Sequence, residues 1–231
     1  MNRHLALSTV SFALCFAMWG LVGALGPLLR QTFGLTNTEA ALLVVVPVLL
    51  GSLARIPAGM LTDRLGGRAV FTALMILVAG AAAVIPQVSS YGGLLAGAFF
   101  LGLAGASFAV GVGYLAGWTT PDRQGTVLGF YGLGTIGQSA AVLLGPLAAQ
   151  SIGWQNVFYF GSALTLVGAA VFGLLARNPP SGKIAAGIRE MLGLLKIQRL
   201  AWALAGFYFL TFGDSLHCRY TFRCCCETSS N

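Results

Sequence analysis

The chain has 231 residues, of which 57% are hydrophobic and only 8% charged, with a mean hydropathy of +0.83. Soluble domains carry about 25% charged residues, so this composition would leave a sticky, water-facing apolar surface and excludes an ordinary soluble domain. The net charge of +7 comes from 13 Lys and Arg against 6 Asp and Glu, scattered through short segments between apolar runs. That scatter speaks against a nucleic-acid face and for a membrane topology signal.

Six apolar runs are long enough to cross a bilayer, which takes about 20 residues as a helix: 5–29, 40–62, 69–87, 92–119, 125–152 and 157–176. Short alternating strands of a β-barrel are absent from this pattern. The first run follows Arg3 and His4 and exceeds the h-region of a signal peptide, about 7–15 residues, so it reads as the first membrane helix. The 32 glycines suit closely packed membrane helices. The expected fold class is an all-α membrane protein, with a six-helix transmembrane bundle over residues 1–176. With the N-terminus inside, Arg3, Arg64, Arg68, Arg123, Arg177, Lys183, Arg189, Lys196 and Arg199 lie on inner segments and only Arg30 on an outer one. The positive-inside rule then predicts a multi-pass protein of the cytoplasmic (inner) membrane with a cytoplasmic N-terminus.

Past the sixth run, residues 177–199 form a basic cytoplasmic linker, in which the stretch 184–196 reads equally as an amphipathic helix at the membrane surface or as a solvated basic loop. A seventh run, 200–213, stops after 14 residues; at 1.5 Å per residue it reaches about 21 Å of a core about 30 Å thick, a partial helix. Residues 214–231 hold four of the five cysteines, including Cys224, Cys225 and Cys226 in a row. Three adjacent cysteines lack zinc-ligand spacing, so no metal or cofactor is expected, and the segment reads as an aberrant Cys-rich tail.

Arg55 is the residue that asks for a function. It lies inside the run 40–62, at bilayer depth, where a guanidinium costs about 2.5–3.5 kcal/mol on insertion scales. The six runs contain no acidic residue, which points to an anionic ligand as its counter-charge.

Two charged loops follow regular patterns. Gly59-Met-Leu-Thr-Asp63-Arg64-Leu-Gly66-Gly67-Arg68 closes the second run, and Pro121-Asp122-Arg123-Gln124-Gly125-Thr-Val-Leu-Gly129 opens the fifth. The first resembles the signature loop G-x-L-x-D-R-x-G-R of the major facilitator superfamily, and the second its P-x-x-R-G-x-x-x-G pattern. The resemblance implies two six-helix halves, each of 3+3 inverted repeats, rocking about a central site. By it the chain is one half, with the C-terminal six-helix half missing. It also makes Gly59, Asp63, Arg64, Gly67, Arg68, Asp122 and Arg123 a conformational-switch loop set.

The glycine-dense stretches 102–113 and 129–137 resemble the nitrate/nitrite porter family, whose fifth helix carries G-x-G-N-x-G; Thr135 stands where that family has Asn. Thr offers one hydroxyl donor where Asn offers two amide N–H. Close helix packing is the plainer reading of most of these glycines, including the pairs Gly113/Gly117 and Gly125/Gly129. The resemblance implies Arg55 as the substrate arginine, Phe108 as an aromatic beside the anion, and Tyr208 and Phe212 as substrate-facing residues of the seventh helix.

The chemistry points the same way. A planar guanidinium matches a flat monoanion with parallel hydrogen bonds, and flanking rings would form a slot for it. The expected function is secondary transport of nitrate and nitrite by alternating access. With His4 terminal and Glu39 and Asp63 flanking the second helix, no proton carrier is expected in this half, which leans toward nitrate/nitrite exchange. A carrier of another small anion, and a non-functional fragment, are the alternatives. No nucleophile–base pair, metal cluster or phosphate loop suggests an enzyme.

Overall fold

The computed structural model describes residues 2–179, and every regular element among them is helical. Six helical spans are long and apolar enough to cross a membrane: Arg3–Ala24, Asn37–Leu65, Gly67–Gln87, Tyr91–Ala116, Pro121–Ile152 and Trp154–Leu175. They are called spans one to six below. The linker beyond Pro179, the partial seventh helix and the tail lie outside the described residues.

Local chemistry sets the span ends. Thr36 and Glu39 form a capping box that starts span two: the Glu39 N–H donates to Thr36 Oγ1 at 3.3 Å, and the Thr36 N–H donates to Glu39 Oε2 at 2.9 Å. The Ser90 hydroxyl oxygen accepts the Gly93 N–H at 3.3 Å and starts span four. The apolar run 5–29 does not make one helix. Span one stops at Ala24, and a short helix, Gly26–Phe33, follows with Pro27 in its first turn. Proline at that position suits a helix start and cannot continue the preceding hydrogen-bond ladder.

Packing follows an internal symmetry. The most extensive contacts join span one to five, span two to four and span three to six. Exchanging spans one, two and three for four, five and six maps the first two contacts onto each other and the third onto itself. The one–six contact likewise becomes four–three, and two–three becomes five–six. Consecutive spans cross in alternate directions, so the second triplet is inverted relative to the first, the 3+3 arrangement. The joints obey the same rule. Gly66, between spans two and three, has φ 85° and ψ 141°; Gly153, between spans five and six, has φ 85° and ψ 147°. Only glycine adopts that conformation readily.

Glycine also lets backbones meet where the spans cross. An added Cβ at Gly137 would collide with the Ala13 carbonyl and one at Gly134 with the Phe12 ring, which fixes the span one–five crossing. A Cβ at Gly102 would collide with the Pro47 carbonyl, and one at Gly51 would stand 2.7 Å from the Gly102 carbonyl oxygen, which fixes the span two–four crossing. The packing reading therefore holds for most of the glycine-dense stretches, and for Gly113 and Gly117, which abut Thr62 and Pro179. Among the described residues, no atom lies within 4 Å of a Cβ placed at Gly125 or Gly129. Spans one and four are the inner ones, 50% and 56% buried, while spans two and five are only 17% and 22% buried. The latter expose Leu49, Leu53, Leu143 and Leu147, side chains that suit hydrocarbon.

Candidate anion site and charged loops

The close approach of spans two and four builds the surroundings of Arg55. Gly51 lies one helical turn before Arg55, and its backbone meets Gly102 and Gly105 on span four. Span four is tightened there into a 3₁₀ stretch, Gly102–Ala106, before resuming as α-helix at Ser107. Such mid-helix tightening redirects backbone carbonyls. The Gly105 carbonyl accepts a hydrogen bond from Arg55 Nε at 3.2 Å. Arg55 is half-buried.

Phe108 follows Gly105 by three residues, just past the end of the 3₁₀ stretch. It is half-buried and belongs to an aromatic cluster drawn from three spans. Its ring lies 5.8 Å from Tyr131 in a stacked arrangement and 5.7 Å from Phe12 in a tilted one. Phe12 and Tyr131 stack at 4.8 Å. Phe12 lies in no motif, and Tyr131 sits within the glycine-dense stretch 129–137 without belonging to its glycine pattern. The signal that could have found Tyr131 is a hydroxyl inside an apolar run, which needs a buried partner. It has one: Tyr131 Oη donates to the Ser107 carbonyl at 2.9 Å.

The other expected site residues are placed differently. Thr135 lies one turn beyond Tyr131 on span five, exposed, and its hydroxyl donates to the Gly132 carbonyl at 2.9 Å. Tyr208 and Phe212 lie outside the described residues. Arg55 is thus bonded to the carbonyl three residues before Phe108 in span four, and Thr135 lies on span five, four residues after the Tyr131 that stacks on Phe108.

The two charged loops lie at span ends, one joining spans two and three and the other opening span five. Asp63 and Arg64 are exposed and line a cavity of about 260 Å³ with Gly66, Tyr114 and Asn178. No described atom lies within 4 Å of a Cβ placed at Gly59, whereas one at Gly67 would run into the Tyr114 ring. Arg68 ties the loop to span six: its Nε donates to the Gly173 carbonyl at 2.7 Å, and its backbone N–H donates to Asn178 Oδ1 at 3.0 Å. Arg3 donates to the Leu175 carbonyl. Two arginines therefore satisfy carbonyls in the last turn of span six, where a helix end leaves them unpaired and partly negative. Asp122 and Arg123 are exposed in a separate 3₁₀ turn, Pro121–Arg123.

His4 is not the free terminal residue that its sequence position suggests. It is 8% exposed, stacks on Trp118 at 4.2 Å, and its Nδ1 lies 2.7 Å from the Tyr114 hydroxyl. That hydroxyl also donates to the Arg177 carbonyl at 2.9 Å. A tyrosine has one proton to give, so both bonds are made together when His4 carries its proton on Nδ1 and donates it to Tyr114. This network joins the start of span one, the end of span four and the exit from span six.

Similarity to known proteins agrees with the architecture. A model of the Major Facilitator Superfamily matches residues 7–222. The chain is 35% identical over 226 residues to a protein of Thermus thermophilus named "Probable nitrate/nitrite antiporter NarK1", covering 91% of this chain and 50% of that protein. It is 34% identical to a "Nitrite extrusion protein" of Bacillus subtilis, over 92% of this chain and 54% of that one. It is 33% identical to a "Probable nitrate transporter NarT" of Staphylococcus epidermidis, over 91% and 54%. The chain spans about half the length of these curated relatives. A crystal structure of a bacterial homologue of the human lysosomal transporter Spinster, inward-facing and occupied, superposes with a TM-score of 0.66 at 18% identity, covering 78% of this chain and 45% of that one. With its two loop motifs, its inverted triplets of spans and a family match over most of its length, this multi-pass membrane protein belongs to the Major Facilitator Superfamily.

Proposed function

We propose that this chain is the anion-binding N-terminal half of a secondary transporter of nitrate and nitrite that works by alternating access. The observation that carries the reading is Arg55: a guanidinium in mid-span, oriented by a backbone carbonyl of the tightened part of span four, one turn from Phe108. A guanidinium is planar and permanently charged and can present paired N–H donors to a flat oxyanion. Phe108, with Tyr208 and Phe212 of the seventh helix, supplies the walls of a flat slot. Thr135 offers a hydroxyl to an anion oxygen after rotating from Gly132. Three relatives whose names refer to nitrate or nitrite support the substrate class.

A second cation supplied by the C-terminal half completes the clamp. Two facing cations repel each other, and a bound anion offsets that repulsion and permits closure. Closure that needs an anion in either direction favours obligatory exchange of nitrate for nitrite. His4 does not change this reading, because it is tied into the inner-end network rather than placed beside Arg55. The loop residues Gly59, Asp63, Arg64, Gly67, Arg68, Asp122 and Arg123 set the balance between conformers at the inner face. The protein lies in the cytoplasmic membrane with its N-terminus inside, as the distribution of basic residues indicates. It carries no enzymatic chemistry, nucleic-acid partner or cofactor.

Counterflow in proteoliposomes tests this. Full-length protein is reconstituted at clamped pH, and uptake of labelled nitrate is measured with and without nitrite inside. Stimulation by internal nitrite is expected; uptake indifferent to nitrite sinks the exchange reading. Competition of nitrate binding by organic acids or cyanate separates it from a carrier of another small anion.

A further inference from the structure

Span four changes winding just before Phe108, from the 3₁₀ stretch Gly102–Ala106 to the α-helix Ser107–Ala116. Helix geometry alone therefore does not fix how far Phe108 stands from the Gly105 carbonyl that holds Arg55. Tyr131 does. Its hydroxyl donates to the Ser107 carbonyl at 2.9 Å, the residue directly before Phe108. Its ring stacks on Phe108 at 5.8 Å and on Phe12 at 4.8 Å, and the three rings form a mutual cluster, with Phe12 and Phe108 5.7 Å apart. The far side of the hydroxyl abuts Gly111, where an added Cβ would collide with Tyr131 Oη. One phenol thus grips span four by a bond at Ser107, a ring face at Phe108 and a contact at Gly111. The side chain is 0% exposed, and a buried hydroxyl without its partner loses more than the bond gains, so the tie persists.

We propose that Tyr131 is the specificity-determining positioning residue of the anion site: it sets the spacing between the Phe108 ring and the Arg55 guanidinium, and so the thickness of anion that fits between them. This rests on the reading of Arg55 and Phe108 as ligand-facing. A planar monoanion fits a narrow gap that a tetrahedral monoanion of equal charge does not. Tyr131 touches no ligand; it acts through Ser107 and Phe108. Releasing it relaxes the gap while Arg55 keeps its charge, so shape selection falls more than affinity.

The test measures binding of nitrate and of perchlorate, flat and tetrahedral, to full-length protein in lipid nanodiscs. Tyr131→Phe keeps the ring and deletes the bond; Gly111→Ala keeps the hydroxyl and displaces it. The ratio of nitrate to perchlorate affinity is expected to fall by up to about tenfold in each, the equivalent of one net hydrogen bond. An unchanged ratio in Tyr131→Phe overturns the assignment, even if its melting temperature drops, since a purely structural tyrosine would do that. If Gly111→Ala does not fold, Tyr131→Phe decides alone. A wild-type protein that binds nitrate selectively while the variant keeps that selectivity overturns only Tyr131's role. A wild-type protein that binds neither anion overturns the nitrate reading and this assignment with it.

Discussion

Arg55 Nε and the carbonyl oxygen of Gly105 meet at 3.2 Å across 50 residues of sequence. The bond exists because Gly51, Gly102 and Gly105 carry no side chains where spans two and four cross, so the two backbones come close enough for a carbonyl to reach the guanidinium. An arginine held at Nε by a carbonyl has its planar group oriented, which a freely rotating cation does not.

The crossing of spans one and five gives a discriminating pair of substitutions. Gly137→Ala forces a Cβ into the Ala13 carbonyl and is expected to cost about 1–3 kcal/mol. Gly125→Ala enters open space and is expected to cost nothing measurable, since alanine is the better helix former. Melting of the purified protein in detergent compares them. Equal losses for both would contradict the packing described for span five.

The inverted repeat predicts matched behaviour at its two joints. Gly66 and Gly153 share φ 85°, a conformation that strains any side chain. Alanine at either position should destabilise the protein by about 1–3 kcal/mol. Gly66→Ala should be the worse, because its Cβ also meets the Asn178 side chain, whereas Gly153→Ala meets only Gln155 at 3.5 Å. Thermal melting of the two variants ranks them; the reverse order would argue against Asn178 docking at the start of span three.

Tyr114 holds the network at the start of span one, and its hydroxyl serves both His4 and the Arg177 carbonyl. Tyr114→Phe leaves the buried His4 and the Arg177 carbonyl without that partner and should cost about 1–3 kcal/mol. A double-mutant cycle with His4→Phe should show coupling of about 0.5 kcal/mol or more. Strict additivity would mean that the two side chains do not interact.

Much of this architecture was legible because membrane helices announce themselves by length and hydropathy, and because loop glycines and charges keep a fixed order. The positions of spans two to six follow the apolar runs closely. The break after Ala24 was not visible as hydropathy, because Gly26, Pro27 and their neighbours stay apolar while the backbone ladder is interrupted. In the candidate site, Arg55 stood out because a charge in hydrocarbon is expensive. Tyr131 and Phe12 did not, because an aromatic residue in an apolar run looks the same whether it faces lipid or fixes a neighbour. His4 was hidden for a similar reason: its position near the N-terminus suggests exposure, and only the fold places Trp118 and Tyr114 around it. The open faces at Gly125 and Gly129 show the converse, small residues at packing intervals with no described neighbour to pack against.

The central claim is that the guanidinium of Arg55, rather than a positive charge alone, receives the anion. Nitrate binding to full-length protein in nanodiscs, wild type against Arg55→Lys, tests it most directly. Lysine keeps the charge but loses the planar donor pair and the Nε bond to Gly105. The expected result is a Kd for nitrate raised by about 10–100-fold, the range for hydrogen bonds to a charged group. An Arg55→Lys protein that binds nitrate as tightly as the wild type would contradict the account.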